Sequence, residues 1–185
     1  RLLLGLPGVM VSEDSLADAE SAWPVIRKAL TGAMKRWQAM RTAEGRRLQK
    51  DMQTRFRALV QMHGRIRKAA PGVAAQYREI LRRRLAEAGC KLENSDGVMA
   101  REVAMFADRS DISEELVRLD SHFQQYEALT RKDECAGRTL DFLCQEMLRE
   151  INTIGSKAND AAITADVISF KSTLEALREQ AQNVE

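Results

Sequence analysis

Apolar residues recur every three or four positions over most of the chain, which is the spacing of one face of an α-helix. The longest such stripe consists of Trp23, Ile26, Leu30, Ala33, Met34, Trp37, Met40, Leu48, Met52, Phe56, Leu59, Met62 and Ile66. Pro24 suits the first turn of a helix. The pattern therefore predicts one helix over about 12–21 and a second, nearly continuous helix over 24–70.

The remaining chain is divided by turn signals, of which Pro71-Gly72 is the clearest. Between these signals the apolar spacing predicts further helices over about 73–91, 98–110, 111–129, 136–156 and 161–183. Short connectors between long helices favour antiparallel neighbours. We therefore predict an all-α fold of long helices in antiparallel hairpins with coiled-coil-like packing, which forms oligomers. Residues 1–95 are expected to form a basic long-helix region and residues 96–185 an acidic C-terminal domain.

Composition narrows the class of protein further. The chain is 44% apolar and 30% charged, and it contains only 3 prolines. No stretch approaches the roughly 18 consecutive apolar residues that would span a bilayer, so no membrane partner is expected. Three cysteines without paired spacing indicate a reducing, cytoplasmic location rather than a disulfide framework.

The net charge of +2 conceals a strong asymmetry between the two halves. Residues 27–84 contain 17 lysines and arginines against 3 acidic residues, whereas residues 85–185 contain 11 against 20. A basic half of this kind suggests contact with a polyanion.

Arginine dominates that basic half, and arginine suits phosphate forks and base stacking. The candidate residues for binding the phosphates of a nucleic acid are Arg36, Arg41, Arg46, Arg47, Arg55, Arg82 and Arg83. An acidic partner chain, or the acidic half of the same oligomer, is the alternative ligand.

The predicted helix over 136–156 carries an unusual polar surface. Opposite its apolar seam lie Arg138, Asp141, Gln145, Arg149, Asn152 and Ser156, and one flank carries Glu146, Glu150, Thr153 and Lys157. Several of these are poor helix formers or specific hydrogen bonders. Two interpretations stay open at this point: a solvated or salt-bridged face, and a functional site.

Two other helices carry polar stripes at helical spacing. One consists of Asp111, Glu115, Arg118 and His122, and the other of Glu175, Glu179 and Gln182. If the three helices pack together, their carboxylates converge on an oxygen-rich site of the kind that Mg²⁺ or Mn²⁺ prefers. Ion-paired helices are the alternative. No Walker A loop, GxGxxG, HExxH, GxSxG or zinc-type spacing is present, so no nucleotide cofactor is expected.

Several segments closely resemble the bacterial YicC/YloC family. They are DISEELVRLDSH at residues 111–122, GRTLDFLCQEM at 137–147, REINTIGSK at 149–157 and the C-terminal residues 177–185. LPGV at 6–9 and RTAEG at 41–45 also match in place, so the resemblance covers essentially the whole chain.

The resemblance implies an endoribonuclease that depends on a divalent metal ion, Mn²⁺ or Mg²⁺. It further implies a cytoplasmic homo-oligomer, with a hexamer expected, that admits RNA to a basic interior. The family's N-terminal α/β domain is expected to be missing from this chain.

The resemblance also indicates where a site is expected. The pool of metal ligands is Glu115, His122, Asp141, Glu146, Glu150 and Glu179, and the catalytic candidates are Glu146, Glu150, Arg138, Arg149 and Lys157. The arginines and the lysine would stabilise a phosphoryl transition state, and either water or the RNA 2′-hydroxyl would attack phosphorus. The rival hypotheses are a non-catalytic RNA-binding adaptor that delivers RNA to another nuclease and an oligomerising helical scaffold.

Overall fold

The structure is a computed structural model that describes residues 19–89, 96–131, 137–182 and 184. Its α-helices are α1 (Ala19–Ala69), α2 (Val73–Glu87), α3 (Asp96–Arg109), α4 (Ser113–Thr130), α5 (Gly137–Lys157) and α6 (Ala161–Ala181). A 3₁₀ turn, Ala70–Gly72, joins α1 to α2. No strand occurs within these ranges, so the predicted all-α fold is confirmed.

The helix boundaries follow the sequence pattern closely, with one exception near Pro24. Pro24 is the sixth residue of α1 rather than the start of a new helix, so the predicted boundary at this point is wrong. A proline has no N–H and so removes one backbone hydrogen bond of the helix, yet α1 continues beyond it to Ala69. Residues 12–18 of the helix predicted over 12–21 lie outside the described residues. The division into domains at residue 95 stays a prediction.

The described residues fall into two units, one ending at Arg46 and one beginning at Arg47. In the first unit, α1 exposes the apolar stripe that the sequence shows. Trp23, Ile26, Leu30, Met34 and Trp37 are each about half exposed. The guanidinium of Arg41 lies 4.8 Å from the centre of the Trp37 ring, a favourable cation–π distance.

The second unit contains the buried core. The core is formed mainly by the later part of α1 with α4, α5 and α6, and Val73 of α2 and Phe106 of α3 also belong to it. Its fully buried side chains include Leu59, Leu119, Met147 and Phe170. Phe56 of α1 stacks on Tyr126 of α4 with ring centres 4.3 Å apart. None of the described helices is both long and apolar enough to cross a membrane.

Cys144 lies in this core as a free thiol. Burial raises its pKa to about 12, so the reactive thiolate form is scarce at neutral pH. Cys90 and Cys135 lie outside the described residues.

A three-residue connector, residues 158–160, joins α5 to α6. Asn159 adopts a positive φ of 44°, which asparagine tolerates better than most residues. Asp160 then caps α6, because its carboxylate accepts a 2.9 Å hydrogen bond from the backbone N–H of Ile163. The turn residues thus end one helix and start the next, as predicted from the sequence.

Close contact between α5 and α6 requires a glycine at position 155. A Cβ atom there would lie 3.0 Å from Cγ1 of Val167, whereas a Cβ at Gly64 would meet nothing within 4 Å. We expect Gly155→Leu to lower the free energy of unfolding by roughly 1–3 kcal/mol through overpacking. The control Gly64→Ala is expected to raise it by about 0.5–1 kcal/mol, because alanine suits a helix better than glycine. Urea unfolding monitored by circular dichroism measures both changes, and equal effects would contradict the close contact.

Candidate functional site

The start of α4 positions two acidic side chains against the end of α5. Asp111 lies two residues before α4, and its Oδ1 accepts hydrogen bonds from the backbone N–H and the hydroxyl of Ser113, the first residue of the helix. Burial of Ile112 holds the turn against the core. Glu114 and Glu115 therefore lie in the first helical turn, where the helix dipole favours carboxylates.

Glu115 is a buried carboxylate, only 5% exposed. Its Oε1 accepts a 2.6 Å hydrogen bond from Nζ of Lys157, in the last turn of α5. This hydrogen bond is the main cause of the raised pKa of Lys157. The other oxygen of Glu115, Oε2, is buried and has no hydrogen-bond partner among the described residues. A buried oxygen in this state is costly.

Glu150 is the second buried carboxylate, 4% exposed. Nη1 of Arg118 lies 3.4 Å from its Oε1, and the same guanidinium also pairs with Glu114. The pKa of Arg118 is raised, first by the charge of Glu114 and then by that of Glu150. We call Glu114, Glu115, Arg118, Glu150 and Lys157 the α4–α5 charge cluster. It brings together residues 111–122 and 149–157, two of the segments that carry the family resemblance, across one antiparallel helix interface.

Two further candidates lie one turn along the same interface. Since Arg118 faces Glu150 and the helices are antiparallel, the next turn of α4, with His122, lies beside the preceding turn of α5, with Glu146. Both side chains are half-buried. Nδ1 of His122 is buried without a hydrogen-bond partner in the described part of the chain.

Asp141 lies elsewhere, where the start of α5 meets the end of α6. Its Oδ1 accepts a 2.7 Å hydrogen bond from Nε of Arg178, and this bond is the main cause of its lowered pKa. Nine residues of helix separate Asp141 from Glu150, which is about 13 Å along the axis. Glu179 is exposed on α6. The six proposed ligands are therefore not gathered at one point, and no group of three His, Cys, Asp or Glu side chains suited to a metal ion occurs among the described residues.

The cationic candidates differ in their surroundings. Lys157 belongs to the charge cluster, whereas Arg138 and Arg149 are exposed. The RNA-binding candidates on α1 and α2 are also at the surface, and two of them have an acidic neighbour on the same helix. Arg55 bonds to Asp51 at 2.7 Å, and Arg83 lies 4.0 Å from Glu87.

Sequence reasoning missed His63 of α1, which is only 4% exposed. Its Nε2 lies 3.2 Å from the carbonyl oxygen of Leu116, the residue after Glu115. A carbonyl only accepts, so Nε2 carries the hydrogen and Nδ1 faces Asp120 at 3.6 Å. Arg67 pairs with the same Asp120. The position of His63 inside the apolar stripe of α1, next to Met62, was the feature of the sequence that indicated its burial.

Burial lowers the pKa of His63, and the charge of Asp120 only partly offsets this effect. The unfolded chain therefore binds a proton at this position more readily than the folded chain below about pH 6.5. We expect the free energy of unfolding to decrease as the pH falls below that value, because the unfolded chain then gains the proton that the buried His63 resists. His63→Gln keeps the hydrogen-bond donor without the titration, so its stability should change less between pH 7.5 and 5.5. Urea unfolding midpoints at both pH values measure this, and equal slopes for the two proteins would contradict it.

Comparison with known protein families gives two matches, which together cover most of the chain. Residues 66–185 match the family described as "Endoribonuclease YicC-like, C-terminal", and residues 1–50 match "Endoribonuclease YicC-like, N-terminal region". The second match means that the expected absence of the family's N-terminal domain is not supported.

Two curated relatives match over nearly the whole chain. The "Probable endoribonuclease YicC" of Clostridioides difficile (strain 630) is 39% identical over 183 residues, which is 97% of this chain and 61% of the relative. The protein of the same name from Haemophilus influenzae (strain ATCC 51907 / DSM 11121 / KW20 / Rd) is 33% identical over 183 residues, 99% of this chain and 62% of the relative. The chain thus spans about three fifths of the length of these relatives.

Proposed function

Since the chain belongs to the YicC-like endoribonuclease family, we propose that it is an endoribonuclease that depends on a divalent metal ion. The observation that carries the proposal is the α4–α5 charge cluster, in which two buried carboxylates and two cations meet at one helix interface. Buried charges are costly to maintain, and they cluster at sites where chemistry uses them. The relatives' names support cleavage of RNA as the reaction class.

The cations of the cluster suit a phosphodiester. Lys157 and Arg118 are partly exposed, whereas Glu115 and Glu150 beside them are buried, so each cation has one side available to a phosphate. Fixed cations next to phosphorus stabilise the charge that develops during displacement. Glu150 is the candidate for taking a proton from the attacking hydroxyl or water.

The acidic side chains of the cluster suit Mg²⁺ better than a metal ion whose ligands must all come from the protein. Mg²⁺ is commonly held by one or two carboxylates, with water and substrate phosphates completing its shell. The unpartnered Oε2 of Glu115 provides one such oxygen, and Glu150 and Glu146 are the nearest further candidates along α5. When bound, the ion would neutralise phosphate charge and activate the nucleophile. Mn²⁺ accepts the same oxygen ligands and tolerates His122.

The exposed arginines of α1 and α2 supply a sequence-independent affinity for RNA in this proposal. Phosphate neutralisation makes such binding salt-dependent. A homo-oligomer is also proposed, with support from the exposed apolar stripe of α1, whose Trp, Leu and Met side chains suit a coiled-coil partner. Hexameric assembly and a cytoplasmic location stay predictions.

The direct test is to incubate the purified chain with single-stranded RNA in Mg²⁺ or Mn²⁺, in parallel with EDTA and with DNA of the same sequence. We expect cleavage of RNA that EDTA abolishes. Cyclic phosphate ends together with intact DNA would assign the attack to the 2′-hydroxyl, and 5′-phosphate ends would assign it to water. Cleavage unaffected by EDTA, or none by a well-folded chain that binds RNA, would contradict the proposal.

One observation favours a second candidate, the non-catalytic RNA-binding adaptor. Glu115 and Glu150 are both ion-paired, as carboxylates in a purely structural helix interface would be. An adaptor would bind RNA with the same salt dependence, leave it intact and require no metal ion. The cleavage assay therefore separates the two functions, whereas a binding assay does not.

A further inference from the structure

Phe142 is an exposed aromatic residue on a helix that otherwise buries its large apolar side chains. It is 59% exposed, whereas Leu140, Leu143, Met147 and Ile151 on the same helix are at most 3% exposed. An exposed phenyl ring costs free energy in water. The ring is thus available to a ligand on this face of α5.

The residues around Phe142 on the outer face of α5 are polar. The exposed residues of this face follow one another at steps of three and four along the helix. They are Arg138, Phe142, Gln145, Arg149, Asn152 and Ser156. This face lies opposite the buried seam, between the flank that pairs with α4 and the flank that pairs with α6. One ring thus lies among two arginines, two amides and a hydroxyl.

The two arginines differ from those on the neighbouring helices. Arg118 of α4 and Arg178 of α6 form ion pairs. For the guanidinium groups of Arg138 and Arg149, no hydrogen bond or ion pair is found with any described residue. Two cations on an exposed face that pair with no acid in the described part of the chain attract an anionic ligand.

The combination favours RNA over a second protein chain as the occupant. A coiled-coil interface presents a continuous apolar stripe, as α1 does, whereas this face presents a single ring in polar surroundings. Proteins that bind single-stranded nucleic acid combine an aromatic ring, on which a base stacks, with cations that follow the backbone. Amide groups such as Asn152 can bond to the exposed edges of unpaired bases.

We propose that Phe142 stacks on an unpaired base of RNA while Arg138 and Arg149 hold the adjacent phosphates. The proposal rests on the proposed function and names the form of RNA that the site accepts, namely a single strand. Phe142 precedes Glu150 by eight residues, about 12 Å along the helix axis. A strand anchored at Phe142 therefore continues along α5 towards the charge cluster.

The test measures binding, so that it does not depend on cleavage. Fluorescence anisotropy of a labelled uridine oligonucleotide, in EDTA, gives the dissociation constant for the wild-type chain and its variants. We expect Phe142→Ala and Phe142→Leu to weaken binding by roughly 5- to 150-fold, because stacking of one base is lost. Phe142→Trp should retain the affinity. The matched control is Ile168→Ala, which removes an equally exposed apolar side chain (64%) from α6 and should change nothing.

The arginines give a second, independent readout. In Arg138→Gln and Arg149→Gln, the slope of log affinity against log salt concentration should decrease by about 0.7 each, as expected for one lost phosphate contact to a single strand. An unchanged slope in both variants would contradict their phosphate contacts.

The outcomes separate this proposal from the proposed function. If the wild-type chain binds RNA and Phe142→Leu binds equally well, the stacking proposal is wrong while the proposed function stands. If the wild-type chain binds no RNA, the proposed function fails and this inference fails with it. If Phe142→Leu changes the molar mass in light scattering but not RNA affinity, the ring belongs to a contact between copies, and the stacking proposal is again wrong.

Discussion

Replacing Glu150 by glutamine is expected to reduce RNA cleavage by at least about 100-fold, the usual scale for loss of a catalytic acid or base. Glu150 is 4% exposed and faces Arg118 across the α4–α5 interface. Glutamine has the same shape, and its amide oxygen can still accept from the guanidinium, but it has no charge to take a proton or to hold a cation. Initial rates on a fluorogenic RNA measure the effect, and circular dichroism monitors the helix content.

The matched control for this variant is Glu127→Gln. Glu127 lies near the other end of α4, is exposed and pairs with Arg131 at 3.3 Å, so the same chemical change is made to an ion-paired carboxylate outside the cluster. Cleavage should be unchanged there. A Glu150→Gln variant that cleaves at the wild-type rate would show that Glu150 has a structural role only. A variant that loses its helicity would likewise count against a catalytic role.

Replacing Phe170 by alanine is expected to lower the free energy of unfolding by about 3–5 kcal/mol, the usual cost of removing a buried aromatic ring. Phe170 is completely buried on α6, and its ring centre lies 6.4 Å from that of Phe123 on α4. Removing it leaves a cavity between two helices that cannot close, because close-packed neighbours relax only partly. The measurement is urea unfolding followed by circular dichroism.

The control for Phe170 is again Ile168→Ala, two residues earlier on the same helix and 64% exposed. Its stability should stay within about 0.5 kcal/mol of the wild-type value. Phe170→Leu should lie between the two, since leucine fills part of the space. A loss of less than about 1 kcal/mol in Phe170→Ala would contradict the packing of α6 against the core.

Much of the fold was predictable, because helix-forming patterns and turn signals are local. The predicted break at Pro71-Gly72 corresponds to the 3₁₀ turn, and the predicted boundary between residues 110 and 111 to the gap between α3 and α4. Pro24 was misjudged because a proline signal does not show how many residues of helix precede it. The exposure of the α1 stripe around Trp37 could not be predicted, since periodicity does not reveal what covers a face.

The candidate site was predictable in part, for a similar reason. Spacing placed Glu115 and Arg118 on one helix face and Glu150 and Lys157 on one flank of another. It could not give the register between the helices, which decides that Glu115 meets Lys157 while Asp141 lies at the opposite end of α5 beside α6. Phe142 was not predicted as a functional residue, because it is a single apolar position on an otherwise polar helix face.

The short connector at residues 158–160 has a consequence for how the molecule folds. Loop-closure entropy is small when two helices are joined by three residues, and contacts that are local in sequence form quickly. We therefore expect the α5–α6 hairpin to be present in the folding transition state. Glu115 and Arg118 approach from α4, across residues 131–136. We expect the charge cluster to be completed when α4 packs on that hairpin.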